Sequence, residues 1–270
     1  MNDYPVPSGN RILHKTRIPS PHCCTEITLP MSLLKAPLLL LAAVGSWISS
    51  TPPNRPPNKQ ELLKGDALSN PAMAAAFFKY ATVVPFILEA LTITISTQCA
   101  DAVSDRNCLQ WQEVSNILMP RGNLQSLQHP SLTFYIGIVL VYVGSLIRYT
   151  CFKYLGRFFT FELAIRENHK LITSGPYSIV RHPAYSAIFF LVLGQYALLF
   201  GEGSFLRASG RLEGVFGMLL FYSLTISWMW GLVGFIRRTD VEDDALRNQF
   251  KKDWEDWERR VKWKLLPGLY

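Results

Sequence analysis

Two stretches of this chain, Pro183 to Gly201 and Gly214 to Ile236, contain no charged residue at all. Each is long enough to cross the roughly 30 Å hydrocarbon core of a bilayer as a helix of about 20 residues. Three weaker candidates precede them: Met31 to Ser49 carries only Lys35, Ala72 to Gln98 carries Lys79 and Glu89 with Pro85 near its middle, and Ser131 to Phe152 carries only Arg148 near its end. Charged residues make up 17% of the chain, against about a quarter in a soluble domain. The expected fold is therefore all-α: a polytopic membrane protein with about five transmembrane helices and a C-terminal amphipathic helix.

The remaining composition excludes several classes. Five cysteines (Cys23, Cys24, Cys99, Cys108, Cys151) are odd in number and lack paired CxxC spacing, so neither a disulfide framework nor a metal site is expected. Cys99 and Cys108 remain a possible pair if their loop faces an oxidising lumen. The net charge of +7 is spread over loops rather than gathered into one stripe, which suits an anionic membrane surface and not nucleic acid.

Along the chain, residues 1–30 are polar and proline-interrupted and read as a disordered extension. Residues 31–152 read as N-terminal transmembrane helices joined by the proline-rich linker "STPPNRPPNKQ", and residues 153–270 as the core that carries the chemistry. With the C-terminal tail in the cytosol, the cytosolic loops carry 17 basic residues and the opposite face 7, the asymmetry of the positive-inside rule. Arg11, Lys15 and Arg17 fall on the wrong side of that count, a conflict that a functional start at Met31 removes.

Chemistry concentrates in two places. In "SGPYSIVRHPAYS", Ser174 to Ser186, Gly175-Pro176 marks a turn and Pro183 suits the first position of a helix, where its missing N–H costs nothing. Free amides and the positive dipole end would there meet an anion beside Arg181, while Tyr177 and Tyr185 offer aromatic faces to a cation. S-adenosylmethionine, with a carboxylate and a sulfonium, fits such a place. The plainer reading makes these residues interfacial anchors, but the cluster of turn, proline and polar groups favours a ligand. In the tail, Leu246, Phe250, Trp254, Trp257 and Val261 recur at helical intervals and predict an amphipathic helix on the membrane surface, its tryptophans at headgroup level. Extended backwards by fours, that stripe passes through Glu242 and Arg238, where a merely solvated i,i+4 pair is out of place.

Together, "HKLITSGPYSIVRHPAYS" and "RTDVEDDALRNQF" with its following tryptophans resemble the isoprenylcysteine carboxyl methyltransferase family, specifically over roughly residues 155–261; the "TPPNRPP" linker resembles fungal members. The resemblance implies S-adenosylmethionine contacts for His169, Lys170, Leu171, Ile172, Gly175, Tyr177, His182, Pro183, Ala184 and Tyr185, with Glu162 beside them and Glu242 closing over the cofactor. It implies that Arg238 holds the substrate carboxylate, with Arg181 the next candidate for a catalytic role. It implies prenylated CaaX-type protein C-termini as partners, membrane lipids around them, no metal, and an endoplasmic-reticulum membrane with the site facing the cytosol. Departures are Asp243 for a second glutamate, Lys251 for a glycine, and Trp254 and Trp257 for tyrosines. The ending "VKWKLLPGLY" also resembles membrane sterol reductases, which use NADPH. Other readings are a phospholipid N-methyltransferase, whose ammonium substrate an arginine would repel, and a non-catalytic membrane adaptor.

Overall fold

The computed structural model describes residues 29–63, 65–66, 68, 70–101, 113–114, 116–119 and 124–269. The expectations for residues 1–28 and for a Cys99–Cys108 pair lie outside the described residues. The described chain is helical, as expected: α1 (Leu29–Ser49), α2 (Pro71–Asp101), a short α3 (Leu124–Gln128), α4 (Leu132–Leu155), α5 (Pro183–Phe200), a single turn α6 (Phe205–Ala208), α7 (Gly214–Phe250) and α8 (Lys252–Arg260). Four helical stretches are long and apolar enough to cross a membrane, Pro71–Thr97, Leu132–Phe158, Pro183–Ala208 and Gly214–Phe250, and a shorter apolar helix covers Leu34–Ser49.

Small residues set the tightest contact. A Cβ on Gly144 of α4 would lie 2.8 Å from the Ala187 carbonyl of α5, and one on Gly194 of α5 would lie 2.8 Å from the Gly137 carbonyl of α4. With lipid on the outside, apolar burial drives helices together only weakly, so this backbone-to-backbone approach supplies dispersion contact that larger residues would block. The charge in α1 and the acidic one in α2 answer each other. Buried Lys35 pairs with Glu89 at 2.7 Å and donates to the Leu127 and Gly203 carbonyls. Glu89 in turn accepts the Phe205 amide at 2.9 Å. Two ions that would be costly alone in an apolar span thereby fasten α3 and α6 across one end of the bundle.

The other end holds the polar loops. There α7 runs on as one helix to Phe250; its 37 residues reach about 55 Å, well beyond the hydrocarbon core, so Arg238, Glu242 and Asp243 ride on a rigid extension of the last span. The expected C-terminal amphipathic helix forms as α8, but the apolar stripe from Leu246 to Val261 does not run along a single helix. Lys251 breaks it with φ +48° and ψ −115°, α8 folds back, and Val261 lies beyond α8. The tryptophans are also not at a lipid surface: Trp254 is 0% and Trp257 2% exposed, packed with Phe159, Phe161, Tyr177 and Val261. A stripe of apolar residues shows which face is buried but not whether protein or lipid buries it.

The positive φ explains why a glycine is expected at this position: a Cβ is disfavoured there by roughly 1–2 kcal/mol. Lys251→Gly should raise stability by about 1 kcal/mol or somewhat less, because glycine also loses more freedom on folding. A thermal midpoint unchanged or lowered in detergent would show that the break is not strained.

Candidate functional site

Two cavities meet at the end of the bundle where α5 begins. The first lies among α2, α4, α5 and α7 and is almost wholly apolar, with Phe78, Ile188, Leu191, Trp228, Leu232 and Phe235 in its walls. Its polar lining is confined to Ser49, Ser50, Thr160, Tyr185, Gln195 and the guanidiniums of Arg148 and Arg238. The second lies under the loops and is lined on one side by His169, Leu171, Ile172 and Tyr177, on another by Arg181, His182, Ala184 and Tyr185, and from α7 and α8 by Glu242, Leu246 and Trp257. Phe159, Thr160 and Tyr185 line both. Arg238, a member of the first cavity, has its guanidinium carbon 5.8 Å from the Tyr185 ring centroid.

Most of the sequence-derived cofactor residues therefore share one wall, Glu162 included. Lys170 is exposed, and neither it nor Gly175 or Pro183 lines the cavity. Gly175 acts through backbone shape: with φ +62° it lies against the Tyr154 ring, and a Cβ there would sit 2.3 Å from that ring. This turn delivers Tyr177, whose carbonyl accepts the Trp257 indole N–H at 3.0 Å.

Arg181 departs from the reading as an anion site beside a free helix start. Its guanidinium donates to the Val261 carbonyl at 3.0 Å and the Lys262 carbonyl at 3.2 Å, and pairs with Asp243 at 3.2 Å. The amides of Arg181 and His182 are likewise taken, by the Trp263 and Lys264 carbonyls at 2.9 and 2.8 Å. The C-terminal segment thus occupies the groups that the sequence leaves free, because residues eighty apart are joined only by the fold.

Asp243 is the centre of this clamp. Nearly buried, it receives Arg181 and, at 3.0 Å, the His182 Nε2, while the other ring nitrogen of His182 faces Glu242 at 3.4 Å. Burial alone would lower the imidazole pKa, but hydrogen bonds and charge from Asp243 and Glu242 outweigh it and raise it to about 9. His182 is thus a cation at neutral pH. His169 goes the other way: burial lowers its pKa, with Glu242 opposing, and its buried Nδ1 has no hydrogen-bond partner among the described residues.

Sequence reasoning missed several members. Asp66, in the linker after α1, sits 3.1 Å from Arg238 Nε, while Arg238 Nη2 donates to the Phe161 carbonyl at 2.8 Å. The linker reaches the site because residues 61–63 pair with 163–165: Leu63 donates to the Leu163 carbonyl and Ile165 to that of Glu61, at 2.9 and 3.0 Å. Nothing in a proline-rich linker signals that pairing. Arg148 carried a signal, a lone charge in an apolar span, which by itself marks function or snorkelling alike. Among the described residues no cluster of three or more metal-ligating side chains occurs.

The orphaned His169 nitrogen, the half-buried Glu242 carboxylate in the same lining and the Tyr177 and Tyr185 rings form a pocket with unmatched hydrogen-bonding capacity at His169 and aromatic walls. These residues fit a ligand that brings polar hydrogen-bonding groups together with a cation, as S-adenosylmethionine does.

Residues 135–206 match the model of the isoprenylcysteine carboxyl methyltransferase (ICMT) family. The chain is 30% identical over 129 residues to a probable protein-S-isoprenylcysteine O-methyltransferase of rice (Oryza sativa subsp. indica), covering 47% of this chain and 58% of the relative. It is 38% identical over 65 residues to protein-S-isoprenylcysteine O-methyltransferase B of Arabidopsis thaliana, 23% of this chain and 33% of that protein. A Delta(14)-sterol reductase of Gibberella zeae is 28% identical over 120 residues, covering 37% of this chain and 24% of the reductase. The chain thus spans little more than half the length of the rice relative and less of the other two.

Proposed function

We propose that this chain, whose residues 135–206 match the isoprenylcysteine carboxyl methyltransferase family model, methylates the C-terminal carboxylate of prenylated cysteine in CaaX-type proteins, with S-adenosylmethionine as donor. The observation that carries the reading is the junction at Tyr185, where an apolar cavity within the spans, bearing Arg238, opens against a polar one bearing His169, Tyr177 and Glu242. A substrate that is lipid at one end and anionic at the other matches the first cavity; the donor matches the second.

When bound, S-adenosylmethionine supplies an electrophilic methyl group. A C-terminal carboxyl with an ordinary pKa of roughly 3.3–3.7 is already ionised at neutral pH, so the chain needs no general base at the nucleophile. Its work is alignment and exclusion of water. Arg238, 2% exposed, is held by Asp66 and the Phe161 carbonyl, which fixes a rigid fork to orient the carboxylate. Phe159, Phe161 and Phe235 crowd water from the junction, and fixing two reactants in line is worth several kcal/mol of barrier. Tyr185 lines both cavities at the junction where the two reactants meet and offers its face to positive charge. The reading also places the chain in the endoplasmic-reticulum membrane, with this loop-bearing end in the cytosol where processed CaaX proteins are delivered.

The test pairs two acceptors. Purified protein with labelled S-adenosylmethionine is expected to convert a farnesylated cysteine derivative into a base-labile methyl ester and to leave phosphatidylethanolamine unlabelled. Labelling of the aminophospholipid instead would assign the chain to phospholipid N-methylation.

A further inference from the structure

Arg148 is a buried cation without an anion. It lies on α4, within a span, and is 7% exposed. Its Nε donates to the Ser49 carbonyl at 2.6 Å and its Nη1 to the Ala184 carbonyl at 3.2 Å. Its guanidinium carbon sits over the rings of Phe152, Phe159 and Phe161 at 5.4, 5.6 and 5.0 Å. Among the described residues no carboxylate lies within ion-pairing distance of it, and Nη2 has no acceptor. The other buried cations among the described residues are matched: Lys35 by Glu89, Arg181 and His182 by Asp243, Arg238 by Asp66.

The placement is as telling as the missing partner. Arg148 and Arg238 line the same cavity, which has no acidic side chain among the described residues of its lining. Phe161 joins them, its ring facing Arg148 and its carbonyl accepting from Arg238. Two guanidiniums against the one carboxylate of Asp66 leave this apolar chamber with a net positive charge, and a charge buried in such surroundings is costly until an anion meets it. Carbonyls and aromatic faces offset part of that cost; a carboxylate entering the chamber offsets the rest.

We propose that Arg148 is a second anchoring residue for the substrate carboxylate, acting with Arg238 from the opposite side of Phe161. The proposal rests on the methyltransferase reading and sharpens it. Recognition is divided between a guanidinium on the last span and one on α4, so that the carboxylate is drawn into the apolar cavity before it meets the donor. Arg181, fastened to the C-terminal segment, has no part in it.

A purely structural Arg148 would brace the end of α1 against the start of α5 and be indifferent to the charge of the ligand, which gives the experiment its readout. Full-length protein reconstituted in lipid nanodiscs is titrated with N-acetyl-S-farnesylcysteine and with its neutral carboxamide, and the ratio of their Kd values is compared between wild type and Arg148→Met. The wild type is expected to prefer the carboxylate by about tenfold or more, and the ratio to fall at least about fivefold in R148M, a loss comparable to one ordinary hydrogen bond. An unchanged ratio in R148M overturns the proposal. If R148M does not fold, Arg148→Lys keeps the charge but loses the fork; its ratio is expected to fall about threefold, and no change again overturns the proposal. A wild type that binds both ligands equally also defeats the anchoring role, whereas one that binds neither prenylcysteine defeats the methyltransferase reading and this proposal with it.

Discussion

Arg238→Ala is expected to lower turnover by about two to four orders of magnitude while leaving the affinity for S-adenosylmethionine within a few-fold of wild type. The separation follows from the architecture. Arg238 lines the apolar cavity and not the polar one, so its loss disorders the acceptor carboxylate but leaves the walls formed by His169, Tyr177 and Glu242 standing. Losing an orienting and charge-complementing group in a water-poor site removes a large part of what alignment contributes. Arg238→Lys should recover little, because an ammonium cannot hold Asp66, the Phe161 carbonyl and a carboxylate at once from a planar fork. Single-turnover rates and labelled-donor binding measure the two quantities separately. Turnover within threefold of wild type in Arg238→Ala would remove the proposed role of that side chain.

The largest effect on stability is expected from Asp243→Asn. The change is isosteric, but it strips the anion from between two buried cations, Arg181 and His182. Breaking a buried ionic group by removing one partner costs about 3–5 kcal/mol, and here it releases the C-terminal segment that Arg181 and His182 hold at Val261 to Lys264. The same clamp makes stability depend on alkaline pH. His182 has a pKa raised from 6.5 to about 9 in the folded protein, so its contribution is fully present below pH 6.5 and is lost as pH rises through about 9. Fluorescence of the buried Trp254 and Trp257 during thermal unfolding reports both. The wild-type midpoint should fall between about pH 6.5 and 9, and Asp243→Asn should lower it at pH 7 and flatten that decline. A variant midpoint within a degree of wild type would show that the clamp does not secure the tail.

Lys251 and Asp243 show how a departure from a family pattern is to be weighed. At Lys251 the backbone φ of +48° tells why glycine suits the position, and the consequence is local strain. At Asp243 the shorter acid reaches both Arg181 and His182, so the clamp is formed with the residue present. Equal departures in a sequence pattern thus differ in consequence, since one falls on backbone conformation and the other on side-chain reach.

Trp257 and Asp66 mark the limit of reading a chain by periodicity. The helical spacing of Leu246, Phe250, Trp254 and Trp257 shows correctly that these side chains bury a common face. It assigned that face to the bilayer, whereas the turn at Lys251 folds it onto the Gly175–Ser178 turn. Asp66 lies 172 positions from Arg238 in a segment with no pattern of its own, and its role depends on the pairing of residues 61–63 with 163–165. Arg148 had a local signal but no partner in sequence to interpret it.

What the sequence determined by itself was local: charge-free lengths dictate which segments cross lipid, proline and glycine dictate where α5 starts and the preceding turn bends, and a motif places one wall of the polar cavity. Only the tertiary structure decided which charges answer each other, Lys35 with Glu89, Arg181 with Asp243, and Arg238 with Asp66, and that Arg148 is left facing an apolar chamber. The reason is physical. Hydrophobic length and backbone preference act over a few residues, whereas the cost of burying a charge depends on every group within a few ångströms, and those groups come from distant parts of the chain.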